Sequence, residues 1–163
     1  MKFWPSDKFE IETTLSPTAI VDALHLSIEP KKLFRMSSSS NQKPFQGEIT
    51  QNGFKITRII HYRNSFLPII TGKFLPGNPR LKVEIRMGLH PFVTAFICIW
   101  FGGVGLISII FLASMLSGTT TFSIDSLIPL GMLVFGWALV SGGFWFEVKK
   151  QKPMLIEMFE PIK

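Results

Sequence analysis

The 163-residue sequence is poor in the residues that carry most site chemistry. It has 1 cysteine, 1 tyrosine and 3 histidines, and 17% of its residues are charged, against roughly 25% in an ordinary soluble domain. One cysteine excludes a disulfide framework, and the scattered histidines predict no metal site. The nucleophile-elbow, phosphate-loop and dinucleotide-binding motifs are absent. The sequence therefore predicts no catalytic residue, no cofactor and no metal, and we expect a protein that is not an enzyme.

Apolar residues are abundant and unevenly placed. Hydrophobic residues make up 47% of the chain, which with 16 Phe excludes a disordered protein, and nothing in the composition indicates a nucleic-acid partner. The 38 positions between Arg86 and Asp125 carry no formal charge, and neither do residues 126–146. The composition thus combines a basic, polar part with a strongly apolar part.

The apolar part predicts a transmembrane hairpin. Residues 91–117 and 127–146 are each long enough, as helices, to cross the roughly 30 Å hydrocarbon core of a bilayer. The short loop between them, 118–126, requires antiparallel helices. Two helices of a soluble core are the alternative, but the remaining chain is too small to cover them.

Basic residues near the hairpin ends predict its orientation. The loop has no Lys or Arg, so the positive-inside rule places both termini in the cytoplasm. The flanking basic residues are Arg80, Lys82, Arg86, Lys149, Lys150 and Lys152. We expect the aromatic residues 144–146 at the inner interface and a basic cytoplasmic tail over 147–163.

Residues 1–88 predict a small cytoplasmic domain. Residues 9–14 alternate like a strand, and a helix begins at Ser16, its N-cap, with an apolar stripe formed by Ile20, Leu24 and Ile28. Pro30 is expected to end this helix, and residues 37–41 to form a loop. Further strands are predicted over 66–74, an edge strand because Pro68 cannot donate to a ladder, and over 81–87.

The clearest local signal is a hairpin over residues 45–60. Asn52-Gly53 is typical of a two-residue type I′ turn. That turn pairs Ile49 with Ile56 and Gly47 with Arg58, and it places the apolar residues of both strands on one face. The predicted fold class is α+β: an antiparallel sheet with one helix (1–88), a transmembrane hairpin (89–146) and the tail.

Arg58 is the most unusual feature of this hairpin, because it falls on the apolar face. A buried guanidinium needs an anion, which is either a carboxylate of this chain, such as Glu48 or Glu10, or a bound phosphate or carboxylate. Attraction of basic residues to anionic lipid headgroups is a third interpretation. The candidate anion or headgroup contacts are Arg58, His61, Arg63 and Arg86.

Small residues are dense in both predicted spans, where they allow helices to approach closely. The candidate helix-packing residues are Gly102, Gly103, Gly105, Gly136, Ala138 and Gly142. They either pack the two spans of one chain together or form a self-association face. Self-association requires a second glycine surface, in addition to the one that packs the two spans of one chain together.

The segments HYRNSFLPIITG (61–72) and LHPFVTAFICIWFGGVG (89–105) carry a family resemblance. They resemble small two-span membrane proteins of unassigned function from bacterial, especially cyanobacterial, genomes. The resemblance covers most of the chain, from Phe45 through the first span. It implies a bacterial inner or thylakoid membrane and no particular activity.

Together these features predict a non-catalytic integral membrane protein. We expect its cytoplasmic domain to bind a partner protein, or the chain to form a homo-oligomer at the membrane. The alternative is a ligand-gated membrane effector or oligomeric pore that senses an anionic ligand through the cytoplasmic domain.

Overall fold

A computed structural model describes residues 4–30, 43–77, 80–119, 121 and 123–159 of the chain. The strands are β1 (Ser6–Thr13), β2 (Ile28–Glu29), β3 (Phe45–Thr50), β4 (Gly53–Arg58), β5 (Ile69–Leu75) and β6 (Leu81–Gly88). The helices are α1 (Pro17–Ser27), α2 (Pro91–Leu116) and α3 (Ile128–Met158), with a 3-10 turn over Ile124–Leu127. This arrangement confirms the predicted α+β class.

The six strands form one sheet in the order β1-β6-β5-β4-β3-β2. All neighbours pair antiparallel except β2 and β3, which are parallel. The sheet is therefore mixed, and the purely antiparallel prediction is wrong at this edge. β2 has only two residues, too few for an alternating pattern to reveal it.

Helix α1 carries the chain from the β1 edge of the sheet to the β2 edge. Its start is confirmed, because the Ser16 side chain accepts a hydrogen bond from the Ala19 backbone nitrogen at 3.2 Å. The predicted apolar stripe is also confirmed: Ile20 and Leu24 are fully buried and Ile28 is buried. The helix ends at Ser27, before Pro30, because Ile28 already pairs with β3.

The predicted hairpin forms β3 and β4, but its predicted register is wrong by two residues. The observed pairs are Phe45 with Arg58, Gly47 with Ile56, Ile49 with Phe54 and Thr50 with Gly53. Because side chains alternate with a period of two, this shift leaves every side chain on its predicted face of the sheet.

The register differs because Gly53 belongs to β4 and not to the turn. A Cβ at Gly53 would lie 2.1 Å from the carbonyl oxygen of Gly72 in β5, so the close approach of these two strands requires a glycine there. Gln51 and Asn52 make the turn. No non-glycine residue in the described part of the chain has a positive φ, so Asn52 does not adopt the conformation that a type I′ turn needs.

The two remaining predicted strands, over 66–74 and 81–87, correspond to β5 and β6. β6 is confirmed, with Val83, Ile85 and Met87 buried, and it leads into α2 after two residues. β5 was expected at a sheet edge but lies between β4 and β6. Pro68 precedes the first residue of β5, so its missing N–H removes no ladder bond. The loop predicted over 37–41 and positions 78–79 lie outside the described residues.

Two helices are long and apolar enough to cross a membrane. α2 closely matches the first predicted span. α3 does not end near 146, as predicted, but continues to Met158. The segment expected to be a separate tail is thus helical up to that residue, and 160–163 lie outside the described residues.

Helix α3 has two parts with different surroundings. Up to Leu139 most of its large apolar side chains are exposed, as a lipid-facing helix requires, and from Val140 onward one face is buried. Phe144, Val148, Leu155 and then Phe159 join the core that covers the sheet. Their spacings of four and seven residues are those of one helix face. Phe144, expected at the membrane interface, is instead fully buried.

Candidate functional site: a buried glutamate cluster

A polar cluster around a buried carboxylate lies where α3 leaves its apolar part and enters the sheet core. It consists of Glu147 and Gln151 on α3, Arg58 at the end of β4, and Tyr62 in the following loop, and we call it the Glu147 cluster. Glu147 and Gln151 are one helical turn apart, so they point the same way. The Glu147 side chain is fully buried, whereas that of Arg58 is 23% exposed.

Three donors satisfy the Glu147 carboxylate. Arg58 Nη1 lies 3.2 Å from Oε2, and Gln151 Nε2 donates to the same oxygen at 3.1 Å. The Tyr62 hydroxyl donates to Oε1. A buried charge is tolerated only when it is paired and hydrogen-bonded, and this arrangement supplies both conditions.

Tyr62 is fixed in its protonated form by the same contacts. Its hydrogen bond to Glu147, followed by a partial loss of solvation and the negative charge of that carboxylate, raises the pKa of Tyr62 above its ordinary value. The phenol therefore stays a donor at neutral pH, which matches its role toward Glu147.

The loop after β4 also binds the backbone of α3. Asn64 Nδ2 donates to the carbonyl oxygen of Gly143 at 3.1 Å, and Asn64 Oδ1 accepts from the Phe66 backbone nitrogen at 2.9 Å. A Cβ at Gly143 would lie 2.8 Å from Phe66 Cδ2. The glycine is what allows this loop to lie directly on the helix.

Further along, α3 is attached to β1. Lys152 Nζ lies 3.0 Å from Asp7 Oδ2 and 4.3 Å from the centre of the Phe9 ring. Thr13 Oγ1 donates to the carbonyl oxygen of Phe159 at 2.8 Å. The C-terminal half of α3 is thus bound to both β1 and the β4 side of the sheet.

The predicted anion-contact residues do not form one site. Arg58 lies on the core face and meets a carboxylate of this chain, but that carboxylate is Glu147 and not Glu48 or Glu10. His61 and Arg63 are exposed.

Arg86 lies on the opposite face of the sheet from Arg58. Its Nε is 2.7 Å from Glu84 Oε1, and Lys8 Nζ is 2.7 Å from Glu84 Oε2. These two hydrogen bonds lower the pKa of Glu84. Arg86, Lys8 and Lys55 line a cleft of about 530 Å³ beside Pro91, where α2 begins.

Sequence reasoning missed Glu147, Gln151 and the role of Tyr62. Two signals were present. Glu147 is the only acidic residue between Asp125 and Glu157, and it directly follows the uncharged run that ends at 146. The helical spacing of residues 144, 148 and 155 also indicates that α3 continues with a buried face.

The candidate helix-packing residues divide into two groups. A Cβ at Gly136 would lie 2.4 Å from Trp100 Cζ3, so Gly136 packs inside the hairpin. The other candidate glycines, Gly102, Gly103, Gly105 and Gly142, would have nothing within 4 Å of an added Cβ. Ala138 is exposed. Most of the predicted small-residue positions therefore face away from the hairpin contact.

Within the described ranges, no three His, Cys, Asp or Glu side chains are placed to share a metal ion. The same part of the chain leaves three buried side-chain atoms without a hydrogen-bond partner: Ser141 Oγ, Trp145 Nε1 and Gln151 Oε1. All three are on α3. Comparison of the chain with family models, with curated proteins and with solved structures returned no match.

Proposed function

We propose that this chain is a non-catalytic integral membrane protein that self-assembles through its two long helices and holds its sheet domain at the cytoplasmic surface. The observation that carries the proposal is the outward position of Gly102, Gly103 and Gly142, where an added Cβ meets nothing within 4 Å. In lipid, helix association depends on close packing of small residues, and these glycines do not take part in the contact between the two helices of the hairpin.

The Glu147 cluster supports a non-catalytic role. Its carboxylate is fully buried and accepts three hydrogen bonds, so it joins two parts of the fold. The exposed apolar side chains of α2 and of α3 up to Leu139 support placement in a bilayer. The family resemblance adds support for a bacterial inner or thylakoid membrane.

Self-association is tested with the full chain in a mild detergent. We expect chemical cross-linking to give an oligomer, and Gly142→Leu to weaken association roughly tenfold, the effect of losing about 1.4 kcal/mol of packing energy. Val134→Leu is the matched control, because Val134 is exposed on the same helix and is not a small residue. A wild-type chain that stays monomeric at all concentrations, with no co-purifying partner, would contradict the proposal.

The orientation makes a separate prediction. In a Cys98→Ser background, we expect Thr121→Cys, in the short loop, to react with a membrane-impermeant maleimide in intact cells. Lys73→Cys, on the sheet, should react only after the membrane is opened, because the basic flanks favour the cytoplasm. Labelling of Lys73→Cys in intact cells would reverse the orientation.

Lipid headgroups are the third element of the proposal. Arg86, Lys8 and Lys55 line the cleft at the start of α2, a position suited to anionic headgroups when α2 crosses a membrane. Arg58 is not part of this contact, since it lies on the opposite face of the sheet, where it pairs with Glu147.

A membrane effector or oligomeric pore is the second candidate, and the continuity of α3 favours it. A single helix extends from the apolar part into the sheet core, so a displacement of the sheet would move the span. Conductance measured in liposomes tests this candidate. Liposomes that contain the wild-type chain but conduct no more than protein-free liposomes, with or without acidic compounds, would count against it.

A further inference from the structure

A row of basic side chains crosses the outer face of the sheet, which is the face opposite to the Glu147 cluster. The strand register places Lys8 of β1 directly opposite Arg86 of β6, and Arg86 directly opposite Thr71 of β5. Thr71 in turn lies opposite Lys55 of β4. Neighbouring strands are about 4.8 Å apart, and residues that lie directly opposite one another share a face of the sheet. These four side chains therefore form one row, which we call the Arg86 row.

The positive charge at one end of this row is only partly balanced. Lys8 and Arg86 are like charges directly opposite each other, an arrangement that by itself destabilises a sheet. Glu84 lies between them: its two carboxylate oxygens are 2.7 Å from Lys8 Nζ and 2.7 Å from Arg86 Nε. One carboxylate thus balances one of these two cations.

Lys55 adds a further positive charge at the other end of the row. It makes no ion pair with another described residue, although Glu48 lies opposite it on β3 and lines a different cleft. Asp7, the acidic residue that does line the cleft beside the Arg86 row, is bound to Lys152 of α3 at 3.0 Å. The cleft therefore has two positive charges in excess, one at Lys55 and one at the pair that shares Glu84.

The lining of this cleft, whose volume is about 530 Å³, changes from basic to apolar toward α2. Ile69 and Gly88 form the next row of the sheet in that direction, and Leu89 and Pro91 complete the lining at that end. A Cβ at Gly88 would meet nothing within 4 Å, so the space above it is open. A ligand that matches this lining has an anionic group at one end and an apolar group at the other.

We propose that this cleft binds the phosphate monoester headgroup of a membrane lipid such as phosphatidic acid. The phosphate lies against Lys8, Lys55 and Arg86, and the glycerol backbone lies against Ile69 and Leu89. A phosphate monoester carries about 1.5 to 2 negative charges at pH 7, which matches the two positive charges in excess, whereas a diester lacks the second ionisable group. The apolar end of the cleft beside the start of α2 favours a lipid over a soluble phosphate. The inference rests on the membrane placement proposed above and adds which headgroup is bound.

Lipid titrations of the full chain in a neutral detergent test this choice of headgroup. Dioctanoyl phosphatidic acid and dioctanoyl phosphatidylglycerol have the same acyl chains, so the ratio of their Kd values reports the headgroup. We expect the monoester to bind about tenfold more tightly, the effect of one additional charge-assisted hydrogen bond. Equal Kd values for the two lipids would overturn the proposal.

Three variants locate the binding site. Gly88→Leu adds a side chain in the open space of the cleft, so it should abolish the preference for the monoester while the midpoint of thermal unfolding stays close to that of wild type. Lys55→Met should weaken binding of the monoester about tenfold. Lys73→Met is the matched control, because Lys73 is exposed on the same face of the sheet and does not line the cleft. Equal losses in Lys55→Met and Lys73→Met would indicate general attraction to anions and would overturn the proposal.

Other ligands give different results, and each would also overturn it. Glycerol 3-phosphate has the same monoester without acyl chains and should bind roughly tenfold more weakly, because it leaves the apolar end of the cleft uncovered; equal affinity would assign the cleft to a soluble phosphate. A glutamate-rich peptide that displaced the lipid at equal concentration would assign it to an acidic protein.

The proposed function and this inference fail in different ways. Failure of the chain to remain in carbonate-washed membranes would refute the proposed function itself. Retention in the membrane without a preference for the monoester would refute only this inference.

Discussion

Arg58→Met is expected to lower the free energy of unfolding by about 3–5 kcal/mol, the usual cost of removing one partner from a buried ion pair. The cost is high because Glu147 is fully buried and would keep its charge with two neutral donors only. Glu147→Met should cost less, about 1–2 kcal/mol, because Arg58 is partly exposed and its long side chain can turn toward water. Denaturant titration of the full chain in detergent micelles measures both values.

The double variant Arg58→Met with Glu147→Met separates pairing from general disruption. Replacing both charges of a buried pair by apolar residues of similar size is often close to neutral, so the double variant should be more stable than Arg58→Met alone. Arg63→Met is the matched control, since Arg63 is exposed in the same loop, and it should change stability little. An Arg58→Met variant as stable as wild type would show that the ion pair does not hold α3 to the sheet.

Gly136→Val is expected to separate the two long helices. The Cβ it adds would lie 2.4 Å from Trp100 Cζ3 and 2.7 Å from Trp100 Cη2, so either the ring or the whole helix must move. Overpacking of this kind typically costs about 1–3 kcal/mol. The loss should appear as a lower midpoint of thermal unfolding in detergent.

Two further variants establish the cause. Gly131→Val adds the same side chain to the same helix where nothing lies within 4 Å, so it should leave the midpoint close to that of wild type. Trp100→Ala combined with Gly136→Val removes the clashing ring and should recover part of the loss. If Gly131→Val were as damaging as Gly136→Val, helix propensity and not the Trp100 contact would explain the result.

Local patterns predicted much of the fold because their causes are local. The alternation in β6, the cap at Ser16 and the stripe on α1 each follow from a few neighbouring residues. The faces of the 45–58 hairpin were predicted correctly for the same reason. Its register was not, since Gly53 serves a contact with Gly72 on another strand.

The candidate site was less predictable because it depends on distant residues. Alternation identifies Arg58 as a buried cation needing an anion, but Arg58 and its partner Glu147 are 89 positions apart. No spacing rule selects Glu147 from the other carboxylates until α3 is known to extend past 146. The predicted end of the second span, at residue 146, depended on hydropathy. Hydropathy falls after that residue because polar side chains begin to occupy one face of α3, although the other face stays buried.

The path of α3 into the sheet core has a consequence for biosynthesis. All six strands precede α2 in the chain, whereas Phe144, Val148, Leu155 and Phe159, which complete the core, are synthesised last. A ribosome therefore releases a sheet whose apolar face is only partly covered by α1, and this face stays open until α3 has emerged. In the membrane placement proposed above, chains whose second long helix fails to insert would keep that surface exposed, which is the feature that chaperones and proteases recognise. Under that proposal, maturation of the sheet domain would report whether the helical hairpin was inserted correctly.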